Sequence, residues 1–199
     1  MDEPLNMAGV PRSKRGTWMQ TYSGRFYPLD PRPEEFEIED IALSLSRINR
    51  YNGHNDAPIS VAQHSVQCVD LVDIMEVGTE EEVHQVKRYM LMHDATEAYV
   101  GDMVRPLKSI IPQFGEIEAG VWKACVERFE IKLIDPKTIK FYDNLACSWE
   151  KRNLCTSYEE WPRMPVVPDW VPKMASWSAK VSERKFIEMF NELWGDDFE

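Results

Sequence analysis

At 199 residues, with 43% hydrophobic and 29% charged residues, the chain suits one globular domain over 1–199 and is too short for two full ones. A net charge of −11 with no Lys/Arg stripe argues against broad docking on nucleic acid or an anionic membrane, because phosphate contacts dominate that affinity. No apolar run approaches about 20 residues and the first residues lack the pattern of a secretory signal, so the expectation is a soluble cytoplasmic protein.

Residues 1–16 have little hydrophobic pattern and read as a mobile arm. Thr17 to Pro28 runs aromatic and β-branched residues into a Ser23-Gly24 turn signal and out again, which predicts a short β-hairpin. Trp18 and Gln20 alternate on one face of its first strand. Ile41, Leu45 and Ile48 predict a helix over Ile38 to Tyr51 that also carries Arg47 and Arg50, with Gly53 placed to end it. Ser60 and Gln63 make a capping-box pair for a helix reaching Met75. His64 shares an apolar face there with Val61, Cys68, Leu71 and Met75.

Thr79 and Glu82 make a second capping box for the helix that leads to His93, Asp94 and Glu97, with Gly101 as its stop. Val104 to Phe114 reads as a loop with short helical turns, followed by helix from about Glu116 to Ile131. Asp135-Pro136 supplies an N-cap and an N1 proline for another helix, with Ile139, Tyr142, Asp143, Ala146 and Trp149 facing inward. The proline-rich stretch 160–174 predicts an extended strap anchored by Trp161 and Trp170, covering either the chain's own core or a subunit of a homo-oligomer. A last helix runs from about Ser178 to Trp194. Cys68, Cys125, Cys147 and Cys155 have no Cys-x-x-Cys spacing and read as reduced packing residues.

His93, Asp94 and Glu97 sit among Met, Leu, Tyr and Val, where an unpaired charge would cost several kcal/mol. Residues three and four apart on a helix reach one patch. Together with His64 and Asp143 from two other apolar faces they amount to three separate burials of charge, and convergence on one divalent cation explains all three.

Val61-Ala-Gln-His-Ser65, His93-Asp-Ala-Thr-Glu-Ala-Tyr-Val-Gly-Asp102 and Asp143-Asn-Leu-Ala146 resemble the HD-domain metal-dependent phosphohydrolases over roughly residues 17–155. The small members with bacterial 5′-deoxyribonucleotidase or phage dATP hydrolase activity are the most similar. The resemblance implies an all-α HD-domain bundle with a short N-terminal β-hairpin, the strap and last helix lying beyond its core. It implies His64, His93, Asp94 and Asp143 as metal ligands, Glu97 as the group that orients the attacking water, and Asp102 near the sugar. Where those deoxyribonucleotidases carry Arg before a substrate-contacting Trp, Thr17 precedes Trp18 here, so Arg25, Arg47, Arg50 and Arg105 all stand as candidates for the phosphate.

The expected function is hydrolysis of deoxynucleotides, dATP foremost, to deoxynucleoside and phosphate or triphosphate. A general deoxyribonucleotidase or another HD phosphoesterase is the alternative. Four protein ligands suit a five- or six-coordinate ion, so Co²⁺, Mn²⁺, Fe²⁺ and Ni²⁺ stand beside Zn²⁺ and Mg²⁺. Trp18 stacking on a base and Gln20 pairing with an adenine edge would supply the base preference.

Overall fold

A computed structural model describes residues 15–75, 78–155 and 159–195. It is an all-α fold with one short hairpin. The expected mobile arm falls mostly on residues 1–14, outside the described residues. Arg15, at its end, is tied down: its guanidinium pairs with Asp30 at 2.7 Å and Glu35 at 2.6 Å and lies 4.1 Å from the centre of the Tyr27 ring.

Strands β1 (Met19–Gln20) and β2 (Arg25–Phe26) pair antiparallel, Met19 opposite Phe26 and Gln20 opposite Arg25. Two-residue strands hold little by themselves, so side chains fix the hairpin. Phe26 is buried against Phe36 and stacks on Tyr99 at 3.9 Å. At the turn, Asp40 accepts hydrogen bonds from the Ser23 backbone N–H (2.9 Å) and hydroxyl (2.6 Å).

Asp40 belongs to α1 (Ile38–Leu45), which is shorter than its apolar periodicity predicts. The chain leaves the helix at Ser46 and forms an isolated antiparallel bridge between Asn49 and Ser60. It then makes a 3-10 turn, Arg50–Gly53, in which Tyr51 (φ 55°) and Asn52 (φ 51°) are left-handed. Left-handed backbone costs a non-glycine residue roughly 1–2 kcal/mol. Here it turns both Arg50 and Tyr51 inward onto one buried carboxylate, Glu150, which a continued helix would not do.

The core is carried by α2 (Val61–Met75). Every residue from Val61 to Val69 is buried, the mark of a central helix. Helices α3 (Glu80–Met92), α7 (Pro136–Leu154) and α8 (Ala179–Trp194) pack around α2, and α8 also contacts α1 and α3. Three further helices complete the described chain: α4 (Glu97–Val100), α5 (Arg105–Lys108) and α6 (Pro112–Arg128). Helix α6 opens at Pro112, earlier than expected, because a proline at N1 needs no hydrogen-bond partner. None of these helices is long and apolar enough to cross a membrane.

The capping pairs divide. Ser60 accepts from the Gln63 N–H at 3.1 Å, but the Gln63 amide turns away to donate to the Ala175 carbonyl and accept from the Trp177 N–H. Thr79 and Glu82 form the full reciprocal box. Thr79→Ala should therefore cost about 1 kcal/mol and lower Tm by about 2–4 °C in a calorimetric scan.

The strap is extended, but Trp170 does not anchor it as expected. Trp170 is 64% exposed, whereas Val167, Val171 and Met174 are buried. Prolines donate no N–H, so the strap is held through its carbonyls: Trp149 donates to Pro172 O (2.8 Å), and Arg152 to Pro168 O (3.1 Å) and Val171 O (2.9 Å). Trp161 packs on Tyr51 with ring centres 5.5 Å apart.

Candidate metal centre

Helix α2 brings His64 to the middle of the bundle, fully buried, facing the end of α3 and the inner face of α7. The helix at His93 is not continuous into Glu97. Helix α3 ends at Met92, and tightened bonds follow from Ala95 N to Met92 O (2.9 Å) and from Glu97 N to Asp94 O (3.0 Å) before α4 begins. In such a 3-10 turn residues three apart eclipse each other, which keeps Asp94 and Glu97 on one side despite the break.

Both imidazoles have their orientation set from behind. His93 Nδ1 lies 2.7 Å from the Met90 carbonyl, an acceptor only, so Nδ1 carries the proton. His64 Nδ1 lies 2.5 Å from Glu150 Oε1, and the Glu150 carboxyl is held below its usual range: burial pushes it up, but Arg50 and His64 prevail. Nδ1 of His64 therefore also donates. Each Nε2 is left facing the centre.

Around those two nitrogens stand acceptors. His64 Nε2 is 3.5 Å from Asp143 Oδ1 and 3.7 Å from Asp94 Oδ2, and His93 Nε2 is 3.3 Å from Asp94 Oδ2. His93 Nε2 is buried without a hydrogen-bond partner. Donors about 2.1 Å from a common cation stand about 3.0–3.4 Å apart in octahedral or tetrahedral arrangement, so these separations fit a metal after small shifts. The buried group His64, Cys68 and His93, whose ligand atoms lie within 4.8 Å of one another, could hold a metal ion. Cys68, expected to be a packing residue, has its Sγ 3.5 Å from His64 Nε2.

The electrostatics point the same way. Burial and Arg50 press the His64 pKa down, yet Cys68, Glu150 and Asp143 outweigh them and raise it well above its ordinary value. A nitrogen that holds a proton so firmly also attracts a metal cation. Burial would raise Asp94 and Asp143, but the imidazoles of His93 and His64 keep both carboxyls well below the usual range.

Glu97 behaves oppositely. Burial first, then Asp94 and Asp102, push its carboxyl up to about 10, and Oε2 is buried with no hydrogen-bond partner. Asp102 is raised mainly by its own burial. Arg50, 8% exposed, is committed: it pairs with Glu150 (3.2 Å) and Asp94 (3.4 Å) and donates toward Cys147 Sγ (3.2 Å). Arg105 is mostly exposed and reaches Asp143 Oδ2 at 3.1 Å, as Lys140 does at 2.8 Å.

The remaining candidates lie toward the hairpin. A cleft of about 420 Å³ is lined by Met19, Gln20, Tyr22, Leu43, Arg47 and Tyr99, among others. Arg47 is exposed at this cleft. Trp18 is outside its lining, 42% exposed with the Arg25 guanidinium 4.6 Å from its ring centre. The Gln20 amide donates within the hairpin to Thr21 O (2.7 Å) and Gly24 O (2.9 Å). The residue overlooked in the sequence is Glu150. It lies seven after Asp143 and four after Ala146, so the inward stripe already pointed to it.

Fold and site together define an all-α bundle whose centre gathers two imidazoles, a thiol and two carboxylates. No protein-family model matches the chain. It is 32% identical over 154 residues to the uncharacterized protein YfdR of Escherichia coli, covering 76% of this chain and 81% of YfdR, and it belongs to the same family as YfdR. It is also 35% identical over 127 residues to the uncharacterized protein RCAP_rcc00048 of Rhodobacter capsulatus, covering 62% of this chain and 63% of that protein.

Proposed function

We propose that the chain is a metal-dependent phosphohydrolase of the HD type acting on deoxynucleotides, with one divalent cation held by His64, His93, Asp94 and Asp143. The observation that carries this reading is the pair of Nε2 atoms, each turned inward by a proton fixed on Nδ1, facing Asp94 and Asp143 at 3.3–3.7 Å. Bound there, such a cation acidifies a water and polarises a phosphoryl oxygen.

Glu97 is the group placed to handle the proton of the attacking water. Its carboxyl is pushed up first by burial and then by Asp94 and Asp102; a cation beside Asp94 would offset the second of these causes and bring the carboxyl down toward the range of a general base. The cleft of about 420 Å³ is of nucleoside size. Ala98 and Tyr99, which line it, follow Glu97 directly in α4. Arg50 is buried between Glu150 and Asp94, so we assign the phosphate oxygens to the exposed Arg47 and Arg105, the latter paired with Asp143 at the rim, with Asp102 toward the sugar.

The test is product analysis with Co²⁺ or Mn²⁺. Attack at the phosphorus nearest the sugar converts dATP to deoxyadenosine and triphosphate in one step, and dAMP is accepted as well. Accumulation of dADP or dAMP from dATP means attack at the outer phosphates and sinks this mechanism. A second reading, a deoxyribonucleotidase indifferent to the base, is favoured by one observation: the Gln20 amide is spent on its own hairpin. Equal kcat/KM on all four dNTPs would select it over adenine preference.

A further inference from the structure

Among the described residues, Glu150 is a buried titratable group whose placement the proposed chemistry leaves unexplained. It is fully buried on α7, and its two oxygens are divided between two tasks. Oε1 accepts the Nδ1 proton of His64 at 2.5 Å. Oε2 accepts from Arg50 Nε at 3.2 Å and from the Tyr51 hydroxyl. Arg50 in turn reaches Asp94 Oδ2 at 3.4 Å. One carboxylate thus touches one inward-facing group directly and a second through a guanidinium.

A solitary buried carboxylate would cost several kcal/mol, and an Arg–Glu pair alone in a core is often no better than apolar residues of the same volume. Stability alone gives no account of why it sits here. The backbone gives the same indication: Tyr51 and Asn52 take left-handed conformations, and the Tyr51 hydroxyl and Arg50 both end on Oε2.

We infer that Glu150 is a positioning residue: it fixes the Nδ1–H tautomer and ring orientation of His64 and, through Arg50, the rotamer of Asp94, so that both present their free atoms to the cation. This rests on the metal reading of the site but not on any particular substrate. The carboxylate behind a ligating histidine typically changes metal affinity by about 10- to 100-fold.

The experiment is Co²⁺ titration of the purified full chain by visible absorption, with a ¹⁵N-edited NMR spectrum of the histidine rings in the Zn²⁺-loaded protein. Wild type should bind one Co²⁺ and show a slowly exchanging, strongly downfield Nδ1–H signal for His64. Glu150→Ala should weaken Co²⁺ binding by about 10- to 100-fold and abolish that signal. Because Glu150→Ala leaves Arg50 without its main partner and so endangers folding, the near-isosteric Glu150→Gln serves as second variant. Its amide oxygen can still accept from Nδ1, so it should recover part of the affinity and retain a shifted signal.

A merely structural role predicts a lower Tm with unchanged Co²⁺ affinity and an unchanged His64 signal in folded Glu150→Gln, which overturns the inference. Wild type that binds no Co²⁺ overturns the metal reading itself, and the inference with it. Wild type that binds Co²⁺ alongside folded variants that bind it equally well overturns the inference alone.

Discussion

Glu97→Gln should leave Co²⁺ occupancy at the wild-type level and lower the rate of dAMP hydrolysis by at least about 10²-fold, the usual reach of a general acid–base group being about 10²–10⁴. Mass-spectrometric metal analysis beside the assay separates the two quantities. Near wild-type turnover would remove Glu97 from the chemistry. The same substitution carries a stability signature. The folded carboxyl, pushed up to about 10, keeps a proton that the unfolded chain gives up above about 4.3. A raised folded pKa means stability present at low pH and lost as pH climbs from about 4.3 toward about 10. At neutral pH the loss is on the order of 4 kcal/mol. In chelator-treated protein, then, Glu97→Gln should melt above wild type at pH 8, and the gap should close near pH 5. A gap of the opposite sign would mean that Glu97 is paired in the folded chain.

Alanine at His64, His93, Asp94 or Asp143 should remove both bound metal and turnover. Each substitution deletes a donor and also strands its neighbours: without Asp94, for example, Arg50 keeps Glu150 but loses its second carboxylate. Co²⁺ affinity should fall by more than about 10²-fold. Arg105→Ala provides the contrast, since that side chain is largely exposed and screened by solvent; it should retain the metal. Wild-type Co²⁺ affinity in Asp143→Ala would take that residue out of the ligand set.

Much of the bundle was readable from local rules. Thr79 with Glu82, Asp135-Pro136 and Ser178 mark helix starts that the structure reproduces, because a cap is a contact within one turn. His64 was legible as an inward residue from its register with Cys68 and Leu71. The break after Met92 was not, since Ala95, Thr96 and Ala98 carry no helix-breaking signal and only the hydrogen-bond pattern changes. Nor was the early end of α1, where Ile48 continues the apolar spacing but Arg50 is drawn to a partner 100 positions away. Glu150 went unread because Lys151 and Arg152 beside it look like a solvated charge run, although its spacing from Asp143 and Ala146 placed it inside. Trp170 failed the other way: a large aromatic residue in a proline strap suggests an anchor, but the strap is held by its carbonyls.

The Arg50–Glu150 pair also bears on the order in which the fold is assembled. Its members are 100 residues apart, and His64 and Glu150 are 86 apart. Contacts so distant in sequence form late, after the loop between them has closed. A partly folded chain in which α7 has not docked has α2 and α3 in hand but neither Asp143 nor the carboxylate behind His64. With the proposed ligand set, a nascent chain would lack Asp143 and Glu150 until nearly all of α7 has been synthesised, so binding by the full set would act on the finished fold, adding to its stability in proportion to the logarithm of free metal rather than guiding the early steps.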